Sequence, residues 1–180
     1  MSPIHREVRF KMKKFVLIFL VLAGGGWWYL IGGRTISEDH VTRFYEDLEA
    51  ATLSRNPEAI CALLAGDFET SGTVRIAGRV VTSSQDKKQT CQAYKDLYVS
   101  FEKLGDKMGG ILQLDSSYTI NGMSIQPNRK SAVVDYSSSL DVGGSIMNLR
   151  SNSTDTLIRR NGKTLMLRSE GNGSVSTGGQ

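Results

Sequence analysis

The stretch NRKSAVVDYSSSLDVGGSIMNLRSNSTDTLIRRNGKTLMLRSE, residues 128–170, has an apolar period near two and is cut by turn chemistry. Ala132, Val134 and Tyr136 alternate with Val133 and Asp135, as in a strand with one buried face. QPNRK at 126–130 opens the run, DVGG at 141–144 divides it, and Asn161-Gly162 is the strongest two-residue hairpin signal. Upstream, Leu112, Leu114, Tyr118 and Ile120 alternate with Gln113, Asp115 and Thr119. Four long antiparallel strands are therefore predicted to close the chain. The last ten residues, GNGSVSTGGQ at 171–180, are expected to form a disordered tail.

Before these strands the period is helical. Ser37 is placed to cap a first helix, with Glu38 and Asp39 at its positive end and Val41, Phe44, Tyr45 and Leu48 on one stripe. Asn56 caps a second helix that begins on Pro57, where the missing N–H costs nothing, and Gly66 is expected to stop it after Ile60, Leu63 and Leu64. TVRIAGRVVTS at 73–83 is β-branched, with a turn or bulge at Gly78, and reads as short strands. Ser84 announces a third helix running to Gly105, with Cys91, Tyr94, Tyr98 and Phe101 on one stripe. Helices segregated from antiparallel strands define an α+β domain.

The first 33 residues carry a different signal. Residues 15–33, FVLIFLVLAGGGWWYLIGG, are almost wholly apolar, and 19 residues of helix span roughly 28 Å, close to the hydrocarbon thickness of a bilayer. Five basic side chains and Glu7 precede them, which favours a cytoplasmic N-terminus, while Trp27, Trp28 and Tyr29 suit the far membrane interface. The alternative is a signal peptide cleaved after Val21-Leu22-Ala23, giving a secreted domain. The anchor is the preferred reading. It divides the chain into a cytoplasmic tail (1–14), a transmembrane anchor (15–33), a periplasmic domain (34–170) and a tail (171–180), at a bacterial inner membrane.

Charge excludes one class of partner. The formal charge of +4 resides in the first 14 residues, and the remaining 166 hold 17 basic and 17 acidic side chains. A neutral domain lacks the phosphate-neutralising surface that dominates nucleic-acid affinity, so no nucleic acid is expected. Cys61 and Cys91 lie on the second and third predicted helices, beyond the membrane in the anchor reading, where disulfides persist. They are expected to pair; two separate buried thiols are the alternative.

The segments RNPEAICALLAGDFE and NRKSAVVDYSSSL through TDTLIRRNGKTLMLRSE, in the order helix, helix, short strands, helix, four strands, resemble the nuclear transport factor 2-like superfamily. That superfamily includes polyketide cyclases and ketosteroid isomerases. The resemblance implies a cystatin-like cone: a curved antiparallel sheet wrapped around the first helix, enclosing an apolar cavity. Ketosteroid isomerases use an aspartate base beyond the second helix and a first-helix tyrosine beside a protonated acid. The matching positions here are Gly72 and Leu48, so both groups are missing. His5 sits in the tail and His40 in a helix's first turn, and no phosphate loop or metal-ligand spacing is present. No catalytic residue, cofactor or metal is therefore assigned.

Tyr45, Tyr94, Tyr98, Phe101, Tyr118 and Tyr136 are the candidate cavity lining. On helical spacing Tyr94, Tyr98 and Phe101 read first as core, while Tyr118 and Tyr136 line the cavity or face a helix. Ser137–Ser139 fits a polar cavity wall or an exposed sheet surface, and Arg159 and Arg160 read as solvated. The expectation is a non-enzymatic, membrane-anchored periplasmic domain that assembles with protein partners or itself, or binds a small apolar ligand; the alternative is an isomerase- or cyclase-like enzyme. The architecture is also similar to type IV secretion subunits that join one span to a periplasmic domain of this fold. Their Asn-Pro-x-Gly turn is absent, since Asn56-Pro57 continues as Glu58-Ala59.

Overall fold

The computed structural model describes Gly24 and residues 33–110, 112–144 and 146–177. The basic tail, and the anchor with Trp27, Trp28 and Tyr29, lie outside these residues except for Gly24 and Gly33. Among the described residues no helix is long and apolar enough to cross a membrane.

Among the described residues from Gly33 onward three helices, α1 (Glu38–Leu53), α2 (Pro57–Ala62) and α3 (Lys87–Lys107), pack on six strands. The strands are β1 (Leu64–Ile76), β2 (Arg79–Asp86), β3 (Leu114–Ile125), β4 (Ser131–Val142), β5 (Met147–Arg160) and β6 (Lys163–Thr177). The predicted order of helices and strands is thus observed. Their sheet order is β2-β1-β6-β5-β4-β3. It is mixed rather than wholly antiparallel, because β1 pairs in parallel with β6. The cause is topological: α3 carries the chain across the sheet from β2 to β3, so the β1–β2 hairpin docks beside the last strand of the meander. Register shifts at Leu64/Glu69, Ile120/Gly122 and Thr156/Leu157 bend the sheet around α1.

Three boundaries differ from expectation. α2 ends at Ala62 with Leu63 as its cap, and Gly66 lies inside β1 rather than stopping a helix. α3 is capped by Asp86, whose carboxylate accepts from the Gln89 N–H at 2.8 Å while Gln89 returns a bond to the Asp86 N–H at 3.0 Å. This reciprocal capping box outcompetes Ser84, which stays in β2. β6 continues through Thr177, correcting the disordered tail for residues 171–177. Those residues bury little, but β1 and β5 occupy both of the strand's hydrogen-bonding edges. Backbone pairing, not apolar burial, holds them.

The core forms two clusters. Ile36, Val41, Phe44 and Tyr45 meet Leu64, Phe68, Val134, Leu157 and Met166 beneath α1. Ala51, Ile60, Tyr98, Phe101, Leu112 and Val142 fill the space under α3. Cys61 of α2 is disulfide-bonded to Cys91 of α3, closing a 30-residue separation. In the chain-entropy account that crosslink stabilises the fold by about 3 to 4 kcal/mol. C61A/C91A is expected to lose that amount in urea unfolding without change in the far-ultraviolet spectrum at rest; a loss under about 1 kcal/mol would contradict it.

Candidate functional site

Inside the cone, the strand registers line up small and polar side chains on the helix-facing side. Tyr136 pairs with Ser153, which pairs with Gly171, which pairs with Gly72; one row away Ser138, Ser151, Gly173 and Val74 run in parallel. On this face β5 presents Asp155, only 1% exposed. Its Oδ2 accepts from the Tyr45 hydroxyl at 2.9 Å and its Oδ1 accepts from the Ser169 hydroxyl at 2.7 Å. Burial raises the Asp155 carboxyl pKa, against hydrogen bonds from Ser169, Tyr45 and Ser153 that lower it. The Tyr45 hydroxyl is also pushed up, first by burial and then by the neighbouring Asp155 charge.

Tyrosine rings fill the space above the carboxyl. Tyr45 stacks on Tyr136 with centroids 4.5 Å apart and planes 15° from parallel, and on Tyr118 at 6.1 Å. Tyr118 and Tyr136 themselves lie 5.8 Å apart. Offset stacks of this kind add to the area each ring buries. The other candidate lining residues form a separate set on α3: Tyr94 stacks on Tyr98 at 6.5 Å, and Tyr98 meets the edge of Phe101 at 6.2 Å. Tyr98 donates to the Thr52 carbonyl at 3.3 Å, and burial pushes its hydroxyl up to about 12. The six aromatic residues therefore make two clusters rather than one wall. Burial first, and then the Asp155 charge, raise the Tyr94 hydroxyl pKa.

Sequence reasoning missed Asp155. Its signal was present, for Ser151, Ser153, Asp155 and Leu157 alternate along β5, and Asp155 shares the inward face with Leu157. The serine run divides by the same rule: Ser138 faces inward and lies 2.8 Å from the Ser151 hydroxyl, whereas Ser137 faces outward and donates to Asn152 at 2.8 Å. Leu48 packs against both apolar clusters. At Gly72 a Cβ would stand 2.3 Å from the Gly171 carbonyl oxygen, so no side chain fits where the isomerase base is expected. Among the described residues no three His, Cys, Asp or Glu side chains gather to hold a metal ion.

A carboxyl whose folded pKa is raised keeps its proton more firmly in the folded than in the unfolded state. Its stabilisation is complete below the ordinary carboxylate pKa near 4 and is lost as pH rises through the higher folded value. D155N is expected to hold stability within about 1 kcal/mol at neutral pH and to flatten this dependence, whereas D155A leaves Tyr45 and Ser169 unpaired and costs about 2 to 3 kcal/mol. Urea midpoints measured from acid to neutral pH decide the matter; a D155N profile parallel to the wild type would refute the assignment.

Arg159 and His40 are also closer partners than the sequence indicates. Arg159 is half-buried, donates to the Thr35 carbonyl at 3.3 Å and lies 2.9 Å from His40 Nδ1, so it is not simply solvated. The Ser37 N–H donates to the same imidazole nitrogen at 3.1 Å. Burial and then Arg159 hold the His40 pKa below its usual value, leaving a neutral ring that helps fix the start of α1.

No family model matches the sequence, and no curated protein matches it. Solved structures do. A nuclear transport factor 2-like protein of unknown function from Shewanella oneidensis is 15% identical over 74% of this chain and 97% of its own, with a TM-score of 0.52. A candidate scytalone dehydratase from Novosphingobium aromaticivorans is 15% identical over 79% and 87%, at 0.51. A conserved protein from Planctomyces limnophilus is 14% identical over 78% and 96%, also at 0.51. With helices on a bent sheet of order β2-β1-β6-β5-β4-β3 and these likenesses together, the chain has the nuclear transport factor 2-like fold.

Proposed function

We propose that the chain is a non-enzymatic domain, tethered to the outer face of a bacterial inner membrane, that works through its surface in a protein assembly. The observation that carries this reading is the occupied cone: Tyr45, Tyr118 and Tyr136 stack inside it, and both oxygens of Asp155 are taken by Tyr45 and Ser169. The residue types of the interior are those of a site, but its acid is 1% exposed and each of its oxygens already accepts a hydroxyl hydrogen bond from within the protein. The apolar stretch at 15–33 supplies the tether.

Support for a working surface comes from β2. It is an edge strand, exposed along nearly its whole length, with Val80 59% and Val81 51% exposed. Ile76 adjoins them across the turn at Ala77-Gly78. Gly33 receives a bond from the Gly162 N–H at the start of β6, whereas Ile76 pairs with Val175 near the end of that strand. The apolar edge therefore stands roughly 40 Å along the strand from where the chain enters the domain. A tether at one end and an open edge at the other suit reaching a partner.

A photocrosslinking residue at Val80 of the full chain, in intact cells, is expected to give discrete higher-mass adducts, with none from a control at exposed Thr119. An absence of adducts at Val80 would remove the assembly reading. The Tyr45–Asp155 pair favours a second reading, a small ligand bound in the cone through a hydrogen-bonding oxygen. It predicts a ligand-induced rise in melting temperature that Y45F abolishes; no such rise with steroid or polyketide-like carbonyl compounds would set it aside.

A further inference from the structure

The end of the domain at which the chain enters it is strongly and asymmetrically basic. Three contacts bring its parts together: Gly162 N–H to the Gly33 carbonyl at 2.9 Å, Ile36 N–H to the Arg129 carbonyl at 2.7 Å, and Arg159 to the Thr35 carbonyl at 3.3 Å. The entering segment with the start of α1 (33–43), the β3–β4 turn (126–130) and the β5–β6 turn (159–163) thus share one pole. With Asp67, which is bonded to Arg160, these segments bring together seven basic side chains against Glu38, Asp39 and Asp67, while the rest of the domain from residue 34 holds ten basic and fourteen acidic. A domain neutral in sum is a dipole in space.

Several of the positive charges are available. Arg160 is committed to Asp67, with two bonds at 2.6 and 2.9 Å, and Arg159 to His40 and Thr35. Arg129, Lys130 and Lys163 are exposed and join none of the ion pairs among the described residues. A shallow pocket of about 530 Å³ opens beside Arg129, lined also by Ser37, Glu38, Asp39, Ile125, Gln126 and Pro127; two of these side chains are carboxylates, and the exposed Lys130 and Lys163 lie outside it. The chain that leaves this pole runs directly into the apolar stretch ending at Gly33.

We infer that this pole is a docking surface for anionic phospholipid headgroups, so that the domain sits on the membrane in a fixed orientation instead of swinging on its tether. The inference rests on the membrane-anchored reading for its geometry. Basic side chains near a negatively charged leaflet each contribute attraction that falls off within a Debye length, so Arg129, Lys130 and Lys163 act only if the pole faces the bilayer closely. The short segment from Arg34 to Ile36 before the Ser37 cap keeps it there. This orientation also directs Val80 and Val81 away from the lipid.

The test uses the full chain in phosphatidylcholine vesicles with and without phosphatidylglycerol. Lysine acetylation rates are read by mass spectrometry at Lys130 and Lys163, with exposed Lys103 and Lys107 of α3 as internal controls. Phosphatidylglycerol is expected to slow acetylation at the two polar lysines by on the order of tenfold, with high salt restoring the rate and the controls unmoved. R129Q/K130Q should remove the protection at Lys163 while leaving the thermal unfolding unchanged. Equal rates in the two lipids, or protection that high salt leaves intact, would overturn the inference. Alkaline carbonate extraction of the same vesicles reads the anchor separately. A chain stripped by carbonate yet protected by phosphatidylglycerol loses the anchor and keeps the surface; a retained chain with lipid-independent rates does the reverse.

Discussion

Y45A is expected to destabilise the domain by about 5 kcal/mol, enough to unfold a domain of ordinary stability at physiological temperature. Two effects add. Removing a fully buried aromatic ring costs about 3 to 5 kcal/mol in lost transfer energy and residual cavity. Tyr45 is 1% exposed and its ring touches those of Phe44, Tyr118 and Tyr136, so rigid neighbours on several sides prevent collapse into the void. The second effect is the stranded carboxyl of Asp155, which loses the Tyr45 hydroxyl from among its donors and costs about 1 to 3 kcal/mol. Y45F separates the two, since it keeps the ring and loses only the hydroxyl. It is expected to cost about 1 to 2 kcal/mol and to shift the pH dependence assigned to Asp155, because the donor that favours the ionised form has gone. Urea unfolding of both variants at neutral pH is the measurement. A Y45A loss under about 2 kcal/mol would mean that the ring fills space the core does not need, and the occupied-cone argument would fall with it.

The elements that sequence reading resolved are those where burial and local chemistry agree. β3 and β4 carry mostly apolar side chains at alternate positions between unambiguous turns, and α1 combines a cap, an acidic first turn and a continuous stripe. Where stabilisation comes from the partner strand instead, the sequence is silent. Residues 171–177 contain Val175 as their one large apolar side chain, and their strand state follows from lying between β1 and β5. β1 begins at Leu64, nine residues before the β-branched stretch that announces it, because its first half is shaped by the bulge beside β6. The interior site was half legible. Helical spacing placed Tyr45 inward, but Asp155 lies on β5, 110 residues away, and a lone aspartate among serines and threonines looks like surface until the register is known.

G72D asks whether the missing isomerase base could simply be restored, and it is expected to fail by more than about 4 kcal/mol, leaving little folded protein. Gly72 and Gly171 face one another across the parallel β1–β6 pair. A Cβ on Gly72 would lie 2.3 Å from the Gly171 carbonyl oxygen, and one on Gly171 would lie 2.3 Å from that of Asn152. Both obstacles are backbone in the middle of a sheet, which moves only by breaking ladder hydrogen bonds, so the clash is not relieved by a rotamer change. The aspartate would add a charge beside the half-buried Ser153 and Gly171. G72A tests the steric part alone and is expected to lose about 2 to 3 kcal/mol; S71D, one residue away on the outward face, should stay within about 0.5 kcal/mol of wild type. A stable G72D domain would show that the sheet can open at this point, and a carboxylate there, on the same helix-facing side of the sheet as Asp155, would reinstate the catalytic reading of the cone. Unfolding at G72D with a normal S71D instead makes the close approach of two glycine backbones the reason that this position carries no acid.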